Sequence, residues 1–197
     1  MKYIVIFITL LLVSSCTKQI SKISMAGISI NDTKERLAKT KIPTVKIYDN
    51  KFSYQTKNKN ELLIYFENDS IVCIENQESG DWMETKAVLF DFIFGQTTLK
   101  DIRNKFGSYG YKYEHYSFLD LGDIIYKYNY YEFDNCNDEI LVLTTSVFPG
   151  NPNIDVLDEN NSGKLFLRQL SIVQKTKFEK IRGTSKVFDK NYRKIKL

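Results

Sequence analysis

Apolar and aromatic positions in this chain gather in short strand-like runs broken by Asn, Asp, Gly and Lys, a pattern that predicts strands joined by tight turns. Residues 44–48, 61–67 and 70–75 form a first set, with turn material at 57–60 and 68–69. Residues 109–117, 123–133 and 139–148 form a second set, and 164–174 reads as a further strand. A helical period precedes each set. In the first, Asp32 and Glu35 stand at capping-box spacing with Asp32 as N-cap, and the helix is expected to stop near Pro43. In the second, Thr97 and Thr98 cap, Gly107 terminates, and Leu99, Ile102 and Phe106 fall at i, i+3 and i+7 on one face. Between the sets, 82–92 is expected to supply a linking strand, and the last twenty residues read as partly helical.

An offset of 65 places Asp32 on Thr97, Thr33 on Thr98 and Leu37 on Ile102, and brings the two strand sets into comparable positions. The expected fold class is therefore α+β: two repeats of a short helix packed on antiparallel strands, which can join into one continuous sheet. The repeats occupy 28–80 and 81–174, the second with extra strands, and a basic tail follows at 175–197. Leu37, Ile64, Ile71, Leu99, Ile102, Phe106, Ile124, Leu141 and Leu143 are the expected core.

Composition narrows the chemistry. The 197 residues are 43% hydrophobic and 26% charged, in the range of an ordinary globular domain. Thirteen tyrosines and thirteen phenylalanines against 3 prolines favour sheet. One histidine, His115, and 3 cysteines are too few for a histidine-rich metal site, a zinc ribbon or a disulfide framework. Residues 158–163 resemble half of a calcium loop, but the twelfth position is Gln169, not glutamate. No nucleophile elbow, P-loop, zincin or dinucleotide fingerprint occurs. The expectation is no catalytic residue, no metal, no cofactor and no enzymatic activity. A hydrolase would have to use carboxylates that no motif picks out.

The most unusual local feature is aromatic. Tyr109, Tyr111 and Tyr113, followed by His115, alternate along one predicted strand, and Tyr126, Tyr128 and Tyr130 along the next. Each set shares a face. Such a face is a protein-binding hot spot, a platform for sugar rings, or a core face with hydroxyls at its rim. These six tyrosines are the candidate binding residues; a flat exposed face would favour a protein partner, a concave pocket a ligand.

The N-terminus carries an address. Met1-Lys2-Tyr3 precedes an apolar run over 4–13, too short to span a bilayer, and then Ser14-Ser15-Cys16. Val13-Ser14-Ser15-Cys16 resembles the bacterial lipobox. That resemblance implies a signal peptide over 1–15, cleavage before Cys16, and a mature protein anchored by diacylglyceryl and N-acyl (palmitate-type) chains on Cys16, with 16–27 as the tether. In enterobacterial sorting, Thr17 rather than aspartate after the cysteine implies the outer membrane, facing the periplasm or the cell surface. Cys73 reads as a small core residue and Cys136 as part of a turn; their pairing is open. Net charge is +4, but 175–197 holds nine Lys or Arg against Glu179 and Asp189. This tail either attracts anionic lipid or, the preferred expectation, is a solvated and partly frayed terminus. Nucleic acid is not an expected partner.

Gly95-Gln96-Thr97-Thr98-Leu99-Lys100-Asp101-Ile102 followed by Phe106-Gly107 resembles the helix signature of small outer-membrane-assembly lipoproteins and of the beta-lactamase inhibitor protein fold. Ser108 stands where those families usually have proline. The resemblance implies a short helical layer on an antiparallel sheet and binding of proteins rather than catalysis. The expected function is thus a lipid-anchored, non-catalytic protein-binding or assembly module of the cell envelope, its partner an envelope protein. The alternative is an envelope binder of a small ligand, lipid or glycan through the aromatic face.

Overall fold

The computed structural model describes residues 23–40, 44–47, 50–78, 84–112, 126–147, 154, 158–182 and 187–196. Cys16, Tyr113, His115 and Ile124 lie outside them. The chain opens with a miniature hairpin, β1 (Ser24–Met25) and β2 (Ile28–Ser29), turned by Ala26 and Gly27, both with positive φ. Helix α1 (Lys34–Ala38) follows, then β3 (Thr44–Ile47), β4 (Lys51–Gln55), β5 (Glu61–Glu67) and β6 (Ser70–Gln77). After α2 (Leu99–Phe106) come β7 (Tyr111–Lys112), β8 (Tyr126–Glu132) and β9 (Glu139–Ser146). A 3₁₀ turn (Glu159–Lys164), β10 (Phe166–Gln174), α3 (Lys175–Arg182) and β11 (Val187–Phe188) complete the order.

Local chemistry accounts for several of these boundaries. Asn68 and Asp69 both adopt positive φ between Glu67 and Ser70, which pair directly. This two-residue geometry matches the twist of the flanking strands and is tolerated by Asn and Asp. Helix α2 carries a complete capping box: the Asp101 N–H donates to Thr98 Oγ1, and the Thr98 N–H donates to Asp101 Oδ2. Gly107, left-handed at φ 75°, ends it with its N–H on the Arg103 carbonyl. In α1 the cap shifts by one from expectation. Thr33, not Asp32, is the N-cap; Asp32 is 4% exposed, accepts from the Ser29 N–H at 2.9 Å and pairs with Arg36 at 2.7 Å. Asp32 is thereby spent on tying the helix to the β1–β2 hairpin.

Strands β1 and β2 pair by themselves, and the other nine described strands form one antiparallel sheet in the order β11-β7-β8-β9-β10-β6-β5-β4-β3. Six strands of five residues or more make its body, and the edges are short. This overturns the expected two repeats of a helix packed on strands. Strand β10 pairs with β9 on one side and β6 on the other and joins the two strand sets into the continuous sheet that the expectation allowed; what fails is the helical layer of each repeat, because the helices are too few and too short to form one. The helices are also unequal. Five-residue α1 contributes only Leu37 to the core and sits at one end of β6, where Ile71 exchanges backbone hydrogen bonds with Asn31 and Asp32. The structure is an antiparallel sheet with few, short helices.

One face of the sheet carries the main core. Ile64, Ile74, Leu141, Leu143, Leu170 and Ile172 meet Ile102 of α2, Leu37 of α1 and the β1–β2 hairpin there. Leu99 joins a separate cluster with Tyr109, Val147 and Leu165, and Phe106 is only half-buried, in edge contact with Phe90, Phe92 and Tyr131. The described part of the expected linking strand, 84–92, is instead a loop closed by a Lys86–Ile93 bridge and turned by Phe90 and Asp91 at positive φ. Two consecutive left-handed non-glycine residues cannot continue a strand; a Lys86–Asp91 ion pair and the Phe90–Phe106 contact offset the strain. Strand β4, Lys-Phe-Ser-Tyr-Gln, was not among the expected strands although its polar and aromatic residues alternate.

The described part of the basic tail is docked, not frayed. Phe178 of α3 is buried against Tyr130, Lys175 pairs with Glu132 at 2.7 Å, and Ile195 bridges Phe133. Asp189 accepts the Tyr109 N–H at 2.9 Å. Both described cysteines are free: Cys136 is buried in the main core, and Cys73 is half-buried on the opposite face of the sheet. Cys73 is therefore not the core residue that its apolar neighbours Val72 and Ile74 suggest.

Candidate functional site

The second face of the sheet is built differently from the first. In one row across it the register aligns Ser53, Leu63, Glu75, Ser171, Val142 and Tyr130. The next aligns Gln55, Glu61, Gln77, Gln169, Thr144 and Tyr128, and the row on the other side Lys51, Tyr65, Cys73, Val173, Ile140 and Glu132. Alternation sends all of these side chains to one side. The β8 end of this face is aromatic, and its middle is polar, with Ser171 and Thr144 buried on the floor.

Helix α3 turns that face into a groove. It follows β10 directly, and Phe178 packs on Tyr130 with ring centroids 4.6 Å apart. Lys177 pairs with Glu67 at the end of β5, so an ion pair reaches from helix to sheet at one end. Beneath lies an open cavity of about 510 Å³, floored by Tyr65, Cys73, Glu75, Gln169 and Ser171 and walled by Tyr128, Tyr130 and Phe178. That volume lies within the range of small-molecule sites.

Electrostatics concentrate at one floor position. Glu75 is half-buried, and this burial raises its carboxyl above the usual carboxylate range; the Tyr65 hydroxyl, donating to Oε2 at 2.9 Å, Lys51 and a hydrogen bond from Gln169 act the other way. Tyr65 is itself pushed well up, by burial first and then by Glu75. The Cys73 thiol, 3.9 Å from Glu75 Oε1, is likewise raised by burial and by the carboxylate. A thiol held protonated in this way is a poor nucleophile. At the margin of the face, Arg168 is 4% exposed, pairs with Glu78 at 2.7 Å and donates through Nε to Ser146 Oγ at 2.9 Å. The half-buried Tyr126 stands in its field, its hydroxyl raised mainly by burial.

Of the six candidate tyrosines, the structure brings two, Tyr128 and Tyr130, into the groove. Tyr111, 1% exposed, stacks behind Tyr130 with centroids 5.8 Å apart. Tyr109 departs from the expected alternation. Gly110 at φ 73° turns the chain between them, so Tyr109 lies in the Leu99 cluster with its hydroxyl on Ser162 Oγ at 3.0 Å. Tyr126 stays outside the groove lining, and Tyr113 lies outside the described residues. Sequence reasoning missed Tyr65, Glu75, Gln169 and Phe178. The period-two placement of Glu75 between Cys73 and Gln77 was the available signal, but it equally describes a solvated face.

Among the described residues no group of three or more His, Cys, Asp or Glu could hold a metal ion, and Asp158 simply caps the following 3₁₀ turn through the Asn160 N–H. No helix among them is long and apolar enough to cross a membrane. What the arrangement can do chemically is enclose an apolar body against aromatic rings and present a carboxyl, a hydroxyl and amides to its polar end. Compared with known proteins, the chain matches no family model, no curated protein and no solved structure, so its groove has to be read on its own chemistry.

Proposed function

We propose that this protein is a lipid-anchored, non-catalytic protein of the cell envelope that binds a small, largely apolar ligand in the groove beneath α3. The observation that carries this reading is concavity: Tyr128 and Tyr130 wall a cavity of about 510 Å³ instead of presenting a flat surface. A flat tyrosine face would favour a protein partner, so the groove moves the weight from an assembly module to a ligand binder. The Cys73 thiol, held protonated by burial, favours binding over turnover. The anchor rests on the resemblance of Val13-Ser14-Ser15-Cys16 to the bacterial lipobox.

The test is calorimetric titration of the full chain in phosphatidylcholine nanodiscs with 4-phenylbutanol, 4-phenylbutylamine and 4-phenylbutanoate, with empty nanodiscs as the blank. At least one probe is expected to bind saturably at one site and to lose that binding in Cys73→Phe, whose ring fills the floor, with the melting temperature as the folding control. Binding by none of the three removes the groove from the function. Cys16→Ser should leave an uncleaved precursor or release the protein from the detergent phase; unchanged partitioning refutes the anchor.

A further inference from the structure

We infer that the ligand of this groove is an organic ammonium ion, its apolar body against Tyr128, Tyr130 and Phe178 and its cationic head against Glu75; the inference rests on the groove being the binding site. The geometry begins with how the fold treats its other acids around this face. Glu67 is paired with Lys177, Glu78 with Arg168 and Glu132 with Lys175. Glu61 accepts hydrogen bonds from the Ser53 hydroxyl and the Gln77 amide. Glu75 lines the cavity and takes part in no ion pair among the described residues; its contacts are hydrogen bonds from the Tyr65 hydroxyl, the Gln169 side chain and the Cys73 thiol. Lys51 acts on it only through space, with Nζ over the Tyr65 ring at 5.5 Å from the centroid.

A half-buried carboxylate with no ion-pair partner is costly, and the raised Glu75 carboxyl expresses the part of that cost that the more distant Lys51 leaves uncompensated. A ligand ammonium supplies the missing charge at the position where the fold leaves it out. The surrounding groups suit such a head. The Ser171 hydroxyl shares the row of Glu75, Gln169 stands on the adjoining row, and tyrosine rings attract cations through their faces. Strands β6 and β8 are separated by three inter-strand steps, roughly 14 Å, which gives the ligand its shape: charge at one end and an apolar or aromatic body at the other. An anionic ligand would face Glu75 unpaired, and a neutral alcohol would gain a hydrogen bond but no charge compensation.

The three phenylbutyl probes share one body and differ only in the head, so they separate this inference from the groove itself. Titrated at pH 7.5, the amine is expected to bind about tenfold more tightly than the alcohol, the advantage of a charge-assisted hydrogen bond, and the carboxylate most weakly. Glu75→Gln, which keeps an acceptor for Tyr65, should weaken the amine about tenfold and leave the alcohol within about twofold. Equal binding of amine and alcohol by the parent protein overturns the cationic head while leaving the groove in place, as does a Glu75→Gln variant that binds the amine as before. Tightest binding of the carboxylate overturns it as well. Failure of all three probes removes the groove and the inference together. If Glu75→Gln does not fold, the rank order on the parent protein still decides.

Discussion

Gly110→Ala tests the packing that separates Tyr109 from Tyr111 and seats Tyr130 in the groove wall. Gly110 lies at φ 73°, a conformation that costs an L-residue about 1–2 kcal/mol. A Cβ there would stand 2.2 Å from the Tyr130 carbonyl oxygen, 3.1 Å from its carbon and 3.0 Å from Tyr131 Cε1. The obstacle is main chain in a strand paired along its length with β9, so it cannot swing aside as a side-chain end would. Relief requires β7 to move off β8. That breaks the Tyr111–Tyr130 stack and the bond from Asn129 Nδ2 to the Tyr109 carbonyl, at about 1 kcal/mol each. The expected loss is about 3–4 kcal/mol by urea denaturation, or a melting temperature lower by roughly 10 °C for a chain of this size. Gly107→Ala is the control: its φ is 75°, but the nearest atom is Arg193 Cδ at 3.7 Å, so only the conformational cost of about 1–2 kcal/mol applies. Equal losses for the two variants would refute the close approach at Gly110. Because Tyr130 moves, Gly110→Ala should also weaken binding of 4-phenylbutylamine.

Three further outcomes are expected. Burial raises the Glu75 carboxyl above its ordinary value of 4.5, so the folded state holds that proton more tightly than the unfolded chain does; the resulting stability is present in acid and is lost as pH rises from about 4.5 through the folded value. Glu75→Gln should therefore raise the melting temperature at pH 7 and lose that advantage below pH 4.5, and a gain that persists in acid would contradict the burial argument. Ile102→Ala empties a fully buried position of the main core and should cost about 2–5 kcal/mol in urea; an unchanged midpoint would mean that α2 does not pack on the sheet. Thr98→Ala removes one half of the capping box and should cost about 1 kcal/mol, with Thr98→Asn recovering most of it; no difference between the two would show that the cap adds nothing to α2.

What was legible in the sequence is what neighbouring residues decide among themselves. Thr98, Asp101 and Gly107 set both ends of α2, and Asn68-Asp69 sets the β5–β6 hairpin, because capping and left-handed turn conformations are satisfied within a few residues. Short apolar runs bounded by turn residues located β5, β6, β9 and β10 for the same reason. Asp32 shows where local logic ends: its spacing to Glu35 reads as a cap, but the Ser29 N–H and Arg36 claim its two oxygens and pass the cap to Thr33. The central place of β10 lies beyond local logic altogether, since pairing partners are chosen by which apolar faces meet in space, and that choice joins the two strand sets into one sheet. The groove follows the same division. Period two put Tyr128 and Tyr130 on one face, whereas the placement of Tyr109 opposite Tyr111 depends on Gly110 lying against the Tyr130 carbonyl. Glu75 alternates like any solvated strand residue; only the docking of α3 through Phe178 and the Lys177–Glu67 pair turns that face into an open groove, with Glu75 on its floor. The sequence by itself determined turns, caps and strand faces, which are short-range and steric, while the sheet order, the groove and the environment of Glu75 were decided by tertiary packing, because burial and charge depend on residues a hundred positions away.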